Sequence, residues 1–181
     1  NYNGMKYLPE CMASLCQGQE NAPEYEVLII DNGSADGSVE YLDSEWCRKK
    51  EAPAEEGGKP QVRLIALPEN TGFCHAVNLG IREARSSYVI LLNNDTRVEA
   101  GFVKGLYDAI RKDEKIFSVS AKMLMWDKPE LLDDAGDRYC VLGWAYSRGK
   151  GRPAVDYDKN VSIFSACGGA AIYRRQVFEE I

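Results

Sequence analysis

The chain has 181 residues, of which 45% are apolar and 28% charged, and its formal net charge at pH 7 is −6. This length and composition are ordinary for one globular α/β domain with a hydrophobic core. The negative charge and the absence of a Lys/Arg cluster argue against a nucleic-acid-binding surface, which needs a basic face to neutralise phosphates.

No apolar run approaches the roughly 20 residues of a membrane span, and no signal peptide opens the chain. The cysteines lack paired spacing and indicate reduced thiols, so we expect a cytoplasmic protein, with a peripheral position at the inner membrane face as the alternative.

Helices and strands alternate through the first half of the chain. Apolar spacing predicts helices over residues 5–16, 38–46 and 72–84, and short apolar runs predict strands over residues 27–30, 62–67 and 88–92. A polar surface connection is predicted over residues 49–59. Strands and helices that alternate at this spacing form right-handed βαβ units. We therefore expect an α/β fold with a mostly parallel central sheet flanked by helices.

Regularity weakens in the second half. A helix is predicted over residues 102–111 and a strand over residues 117–125, whereas the Gly-rich, charged segment 133–158 is expected to be long and partly mobile. The NYNG sequence at residues 1–4 is turn-like with no strand before it, and the helical pattern from residue 174 stops without a cap. We therefore expect a fragment of a fold at both ends.

Ligands of parallel α/β sheets bind at the carboxyl ends of the strands. This rule selects residues 31–36, 69–73 and 93–96, which are all rich in Asp, Asn, Gly and Thr. Asp95 emerges directly after the strand at residues 88–92, and a hard cation such as Mg²⁺ or Mn²⁺ prefers carboxylate oxygens, with phosphate and water completing its shell. The alternative is a capped turn, which this motif alone would favour.

The two other strand ends carry candidate nucleotide contacts. Asp31 can accept hydrogen bonds from a base or from ribose hydroxyls, while Asp36 is better explained as a helix cap. The NTGF sequence at residues 70–73 opens a helix whose first amides favour an anion such as a diphosphate, although a plain N-cap explains it equally. Taken together, three such turns at successive strand ends indicate one ligand site.

These motifs in their order closely resemble those of family 2 glycosyltransferases, particularly the rhamnosyltransferase-like branch. The resemblance rests on NYNG at residues 1–4, DNGSADGS at 31–38, NTGF at 70–73 and LNNDT at 92–96, and it continues through GW at 143–144 and SACGGA at 165–170. It covers nearly the whole chain. It implies a GT-A fold, which binds a nucleotide diphosphate sugar through a divalent metal.

The resemblance also implies roles for individual residues. Tyr2 would pack against the nucleotide base, Asp31 would bind the base or its ribose, and Asn94 would contact ribose, while Asp95 would hold Mg²⁺ or Mn²⁺. On the side of the diphosphate and the donor sugar, the matching positions are Gly72, Gly168 and Gly169. The family's catalytic base lies beyond Ile181, so no catalytic residue is assigned.

These roles divide the chain into a nucleotide-sugar-binding half, residues 1–97, and an incomplete half for the donor sugar and acceptor, residues 98–181. The implied reaction is inverting, metal-dependent transfer of a hexosyl group from a UDP- or dTDP-linked donor to a saccharide or lipid-linked acceptor, in polysaccharide or glycoconjugate synthesis. We expect residues 1–181 to bind donor but to transfer sugar poorly. The alternatives are a nucleotide-sugar-binding module without turnover and, less favoured, a nucleotidyltransferase.

Weaker candidates lie outside these motifs. His75 is the only histidine and is interpreted as structural or solvent-facing. An acidic cluster near the acceptor is conceivable at Asp133, Asp134 and Asp137, but a solvated loop explains these residues better. Trp144 and Tyr146 could stack on a sugar ring or anchor their loop.

Overall fold

The computed structural model describes residues 1–47 and 60–180. The chain divides into two compact units, the first made of Asn1–Val89 with Asn93–Gly105 and the second of Ile90–Leu92 with Leu106–Ile181. The connection predicted over residues 49–59 lies outside the described residues. The assignment of residues 1–97 and 98–181 to two functional halves stays a prediction.

The first unit contains the regular elements predicted for the first half of the chain, with ends that differ by a few residues. In chain order they are α1 (Leu8–Cys16), β1 (Glu26–Asp31), α2 (Ser38–Leu42) with a π-helical turn (Asp43–Cys47), β2 (Gln61–Ala66), α3 (Phe73–Glu83) and the start of β3 (Tyr88–Leu92). Pro9 stands in the first turn of α1, where its missing N–H leaves no hydrogen bond unmade.

The core of the first unit lies between α1, α2 and the β1–β2 pair. Strands β1 and β2 run parallel, with Glu26 opposite Gln61 and Asp31 opposite Ala66. The apolar side chains of α1 recur at helical spacing and therefore fall on one face of that helix. The buried residues of this core are Leu8, Met12, Cys16, Val27, Ile29, Leu42 and Val62.

The second unit consists mainly of short strands. Helix α4 (Phe102–Ile110) begins in the first unit and ends in the second. The elements that follow are β4 (Ser118–Ser120), β5 (Met123–Met125), β6 (Lys128–Asp134), β7 (Asp137–Tyr139), β8 (Ala145–Ser147), a 3₁₀-helix (Ala154–Tyr157), β9 (Ala170–Arg174) and α5 (Val177–Glu180).

Two predictions for this part of the chain need correction. The single strand predicted over residues 117–125 is divided into β4 and β5, and the segment 133–158, for which no regular element was predicted, holds the β7–β8 hairpin and a 3₁₀-helix. Strands β6 and β9 were not predicted. Several of these strands have only three residues, which is too short for an alternating pattern to stand out in the sequence.

The sheets also differ from the prediction. Strands β1 and β2 form a parallel pair, whereas β3 lies in a three-stranded sheet of order β3–β9–β4, in which β9 and β4 are antiparallel. Asn1 occupies the second edge of β1, because its amine donates to the carbonyl of Ile30 at 2.7 Å and its own carbonyl accepts from the N–H of Asn32 at 2.8 Å. The described residues therefore form small sheets instead of one mostly parallel central sheet.

Across residues 1–47 and 60–180, no helix is both long enough and apolar enough to cross a membrane.

Candidate functional site

The three strand-end turns and the first residues of the chain are joined by hydrogen bonds within the first unit. We call residues 1–5, 31–36, 69–73 and 93–96 the turn cluster. Residues 1–5 are bonded to the turn after β1 at several points, so the two segments lie side by side. The bonds run from Asn1 Nδ2 to Asp31 Oδ2 at 2.7 Å, from the N–H of Asn3 to Ser34 Oγ at 2.8 Å, from the N–H of Ala35 to Asn3 Oδ1 at 2.9 Å and from the N–H of Met5 to Asp36 Oδ2 at 2.8 Å.

Asp31 is completely buried, and its carboxylate is engaged by the protein itself. Besides the bond from Asn1, it accepts the N–H of Ser34 at 2.8 Å through Oδ1 and the hydroxyl of Ser34 at 2.8 Å through Oδ2. A buried carboxylate needs such partners, and these three bonds supply them. In this structure Asp31 therefore fixes the turn, and its contact with a base or ribose stays a prediction.

Asn32 joins the turn after β1 to the turn before α3. Its Nδ2 donates to Asn70 Oδ1 at 2.9 Å, and its Oδ1 accepts the N–H of Thr71 at 2.9 Å. The turns are so close at Gly33 that a Cβ there would lie 2.5 Å from the carbonyl carbon of Glu69. No role for Asn32 was predicted from the sequence, in which its only signal is its place in the DNGS motif.

Asn1, for which no role was predicted either, links the turn after β1 to the turn after β3. Its Oδ1 accepts a hydrogen bond from Asn94 Nδ2, while its Nδ2 reaches Asp31. Gly4 lies beside this bond, and a Cβ at Gly4 would collide with Asn94. The predicted ribose contact Asn94 is thus part of the same hydrogen-bonded framework.

Asp95 and Tyr2 both face solvent, unlike the buried Asp31. The side chain of Tyr2 is 51% exposed, and Asp95 is exposed and accepts no hydrogen bond from the described residues.

Next to the turn that holds Asp95, the Cys11 thiol lies 3.9 Å from the carbonyl oxygen of Asn93. Burial raises the pKa of Cys11, and the charge of Asp95 adds to that rise, so the thiol stays neutral.

The donor set at Asp95 fits a hard divalent cation in part. A free carboxylate is a ligand that Mg²⁺ and Mn²⁺ accept. The described residues contain no group of three or more His, Cys, Asp or Glu side chains placed to hold a metal ion. A cation at Asp95 would therefore take its other ligands from phosphate oxygens and water, which is the usual arrangement for Mg²⁺ with a bound diphosphate.

Comparison with known proteins identifies the family. The family described as Glycosyl transferase family 2 matches residues 1–181. This chain belongs to glycosyl transferase family 2. Its similarity to the glycosyltransferase GlyG of Streptococcus pneumoniae is 24% identity over 184 residues, covering 99% of this chain and 56% of GlyG. It is also 30% identical to the chondroitin synthase of Escherichia coli over 112 residues, covering 62% of this chain and 14% of that enzyme.

Solved structures show that this family 2 chain has a GT-A-like α/β fold. The mannosyltransferase PcManGT from Pyrobaculum calidifontis, solved with GDP-Man and Mn²⁺, matches with a TM-score of 0.66 and 16% identity over 99% of this chain and 44% of that one. TarS residues 1–349 from S. aureus, in complex with UDP-GlcNAc, match with a TM-score of 0.65 and 18% identity over 99% of this chain and 45% of that one. The chain thus spans about half the length of these proteins.

The glycines predicted for the donor side of the family 2 site lie in different units. Gly72 precedes α3 with φ +90°, and its N–H donates to Asn70 Oδ1 at 2.9 Å, so one of the amides predicted to face a diphosphate already has a partner. Gly168 and Gly169 precede β9 in the second unit. A Cβ at Gly168 would meet Leu91 at 4.0 Å, which is an ordinary contact.

The weaker candidates have separate partners. His75 is exposed, and its Nδ1 lies 2.7 Å from the hydroxyl of Thr71, which agrees with the structural, solvent-facing role. The three aspartates of the second unit lie in strands β6 and β7 rather than in a solvated loop, and each has a contact of its own. These contacts are Asp133 with Lys150 Nζ at 2.8 Å, Asp134 with the N–H of Gly136 at 3.0 Å, and Asp137 with Ser165 Oγ at 2.9 Å.

Proposed function

We propose that this chain is the donor-binding part of a glycosyltransferase that moves a hexosyl group from a nucleotide diphosphate sugar to an acceptor hydroxyl, with inversion and with help from a divalent metal. One observation carries the proposal. Asp95 and Tyr2 project into solvent from the turn cluster, in which Asp31 and Asn94 are bonded within the protein. A carboxylate for a metal and an aromatic ring for a base are what a nucleotide diphosphate requires.

Each of the site residues has its own role in the proposed reaction. The ring of Tyr2 stacks on the base, while Asp31 and Asn94 shape the nucleotide pocket through the framework that holds residues 1–5 in place. Asp95 holds Mg²⁺ or Mn²⁺, which when bound offsets the charge that develops on the leaving diphosphate. Gly72, Gly168 and Gly169 are assigned to the diphosphate and the donor sugar, where small residues let a ligand come close to the backbone.

The relatives support a nucleotide sugar as the donor. TarS has been solved with UDP-GlcNAc, and PcManGT with GDP-Man and Mn²⁺. For this chain we propose a UDP- or dTDP-linked donor, with the rhamnosyltransferase-like branch as the finer assignment, and a saccharide or lipid-linked acceptor in polysaccharide or glycoconjugate synthesis. Residues 1–97 would bind the nucleotide and residues 98–181 the donor sugar and acceptor, in the cytoplasm or at its membrane face.

The test is calorimetric titration of UDP-, dTDP- and GDP-linked sugars, rhamnose donors included, with and without Mn²⁺. Asp95→Asn should abolish the part of donor binding that depends on Mn²⁺ and should leave the thermal unfolding midpoint unchanged, because the carboxylate is exposed. The matched control is Glu99→Gln, which removes another exposed carboxylate from the same unit. If Asp95→Asn binds donor and Mn²⁺ as the parent does, the metal assignment is wrong.

Turnover decides between an enzyme and a binding module. A glycosyltransferase releases nucleoside diphosphate in step with glycosylated acceptor, and a positioned base typically contributes about 10²–10⁴-fold to such a rate. Binding without release of nucleoside diphosphate by the full-length protein would favour the module. Release of pyrophosphate from a nucleoside triphosphate would instead indicate a nucleotidyltransferase.

A further inference from the structure

The hairpin of β7 and β8 ends in a tip that displays large apolar side chains to solvent. We call residues 140–144 the hairpin tip. Val141 is fully exposed, and Leu142 and Trp144 are 73% and 57% exposed. Turns are usually built from Gly, Pro, Asn, Asp and Ser, so a Val-Leu-Gly-Trp sequence at this position is unusual. Its apolar character therefore needs an explanation other than turn formation.

The tip has a defined backbone. The N–H of Gly143 donates to the carbonyl of Cys140 at 3.0 Å, and the N–H of Cys140 donates to the carbonyl of Trp144 at 3.0 Å. Gly143 has φ +97°, a conformation that glycine adopts without strain. The turn therefore has a hydrogen-bonded backbone from which the apolar side chains extend into solvent.

The base of the hairpin is anchored to the segment that precedes β9. The N–H of Asp137 donates to the carbonyl of Ser165 at 2.9 Å, and the N–H of Phe164 donates to the carbonyl of Asp137 at 3.0 Å. The rings of Tyr139 and Phe164 stack with centroids 4.9 Å apart. The base of the hairpin is thus fixed to the rest of the unit, while Val141, Leu142 and Trp144 at the tip stay exposed.

The hairpin tip lies in a locally basic stretch of an acidic chain. Between residues 138 and 155 there is no Asp or Glu, although the whole chain has a net charge of −6. Arg138 is exposed and pairs in register with Tyr146, and within residues 1–47 and 60–180 neither Arg138 nor Arg152 forms an ion pair. The cations of this stretch are Arg138, Arg148, Lys150 and Arg152.

We propose that the hairpin tip docks the protein onto an anionic lipid bilayer. Val141 and Leu142 would enter the boundary between headgroups and acyl chains, and Trp144 would lie at headgroup level, where amphipathic aromatic rings are favoured. Arg138 and Arg152 would meet the lipid phosphates, because basic residues next to an apolar insertion are attracted to anionic lipids. A narrow convex tip suits a bilayer better than the broad, flat patch of a protein interface.

The experiment uses the full-length protein and sedimentation with vesicles. Vesicles of phosphatidylcholine with phosphatidylglycerol should bind the protein, and vesicles of phosphatidylcholine alone should bind it less. Val141→Ser with Leu142→Ser should weaken binding roughly tenfold or more. The matched control is Val155→Ser with Val161→Ser, which alters two exposed valines of the same unit outside the tip and should leave binding unchanged. Arg138→Gln with Arg152→Gln should remove most of the preference for anionic vesicles.

Two further measurements distinguish loss of membrane insertion from misfolding of the variants. The tip variants should retain the thermal unfolding midpoint and donor binding of the parent. In the unaltered protein, lipids brominated on their acyl chains should quench tryptophan fluorescence, and Trp144→Phe should remove that quenching.

Several results would overturn the proposal. The first is that the protein does not bind anionic vesicles, and the second is that the Val141/Leu142 variant binds them as well as the parent does. The third is that the protein self-associates and the tip variants abolish this association. The fourth is that the tip of the full-length protein is protected from hydroxyl-radical labelling without vesicles. The third result would indicate a second copy of the chain as the occupant, and the fourth a segment of the protein itself.

Discussion

The turn cluster and the hairpin tip both connect regular elements, but they differ in the contacts of their side chains. In the turn cluster, Asp31 is completely buried and accepts three hydrogen bonds from within the protein. In the hairpin tip, the backbone is hydrogen-bonded while Val141 and Leu142 extend into solvent. Groups that the protein satisfies build the framework, and groups that it leaves exposed, such as Asp95 and the tip residues, indicate where an outside partner would bind.

The largest expected effect is on the free energy of unfolding, when one glycine in each region is replaced by alanine. Gly33 and Gly143 both have positive φ, but only at Gly33 would a Cβ strike backbone, 2.5 Å from Glu69. Gly33→Ala should lower the free energy of unfolding by about 3 kcal/mol, from left-handed strain together with displacement of a packed turn. Gly143→Ala should cost only about 1 kcal/mol, because its Cβ would make just an ordinary contact with the Tyr139 hydroxyl at 3.8 Å. Urea unfolding measures both, and equal losses would mean that the turn cluster is no more tightly packed than the hairpin.

Asp31→Ala tests whether the framework also supports nucleotide binding. Removing the acceptor leaves part-buried donors of Asn1 and Ser34 unpaired, which should destabilise the protein by about 2 kcal/mol. Free UDP or dTDP should be weakened as much as the complete sugar nucleotide, since the change affects the base pocket. Calorimetry on the folded variant measures this, and a loss confined to the sugar nucleotide would give Asp31 a different role. Leu142→Ala in the hairpin tip should leave both stability and nucleotide binding unchanged.

Tyr2→Ala examines an exposed group directly. Stacking of a base on an aromatic ring contributes about 1–3 kcal/mol, so nucleotide affinity should fall about tenfold or more without loss of stability. Tyr7→Ala is the control, because Tyr7 is a similarly exposed tyrosine that has no assigned contact with nucleotide. If both variants lose the same affinity, the ring of Tyr2 has no special part in the pocket.

The smallest expected effect concerns pH. The carboxylate of Asp36 accepts two hydrogen bonds, from the hydroxyl of Ser38 at 2.5 Å and from the N–H of Met5 at 2.8 Å. These bonds hold the pKa of that carboxyl below its usual 3.8. Because the pKa is lower in the folded state, the contribution of Asp36 to stability is present above pH 3.8 and is lost as the pH falls through the folded value. Asp36→Asn should therefore flatten the acid limb of the stability curve slightly, since the carboxyl is exposed. An unchanged acid limb would show that the bonds to Asp36 do not couple its titration to folding.

The strands and helices of the first unit could be predicted because each has a strong local pattern. The apolar run ending at Ile30 and the helical spacing from Leu8 to Cys16 depend on neighbouring residues alone. The short strands of the second unit could not be predicted, because their formation depends on partners distant in sequence, as when Ser118 pairs with Tyr173. The family was also recognisable, since the spacing of its motifs is a property of the sequence.

The sequence by itself determined which residue types stand at the strand ends, and therefore the family and the kind of ligand proposed. Only the tertiary structure decided which of these residues are bonded within the protein. Asp31 and Asp95 both stand at the carboxyl end of a strand, the first as the last residue of β1 and the second just beyond β3. Asn1 and Ser34 surround the first, while the second faces solvent. The reason is physical, because the burial and hydrogen bonds of a carboxylate depend on side chains that approach it from distant parts of the chain, and a local motif does not specify those neighbours.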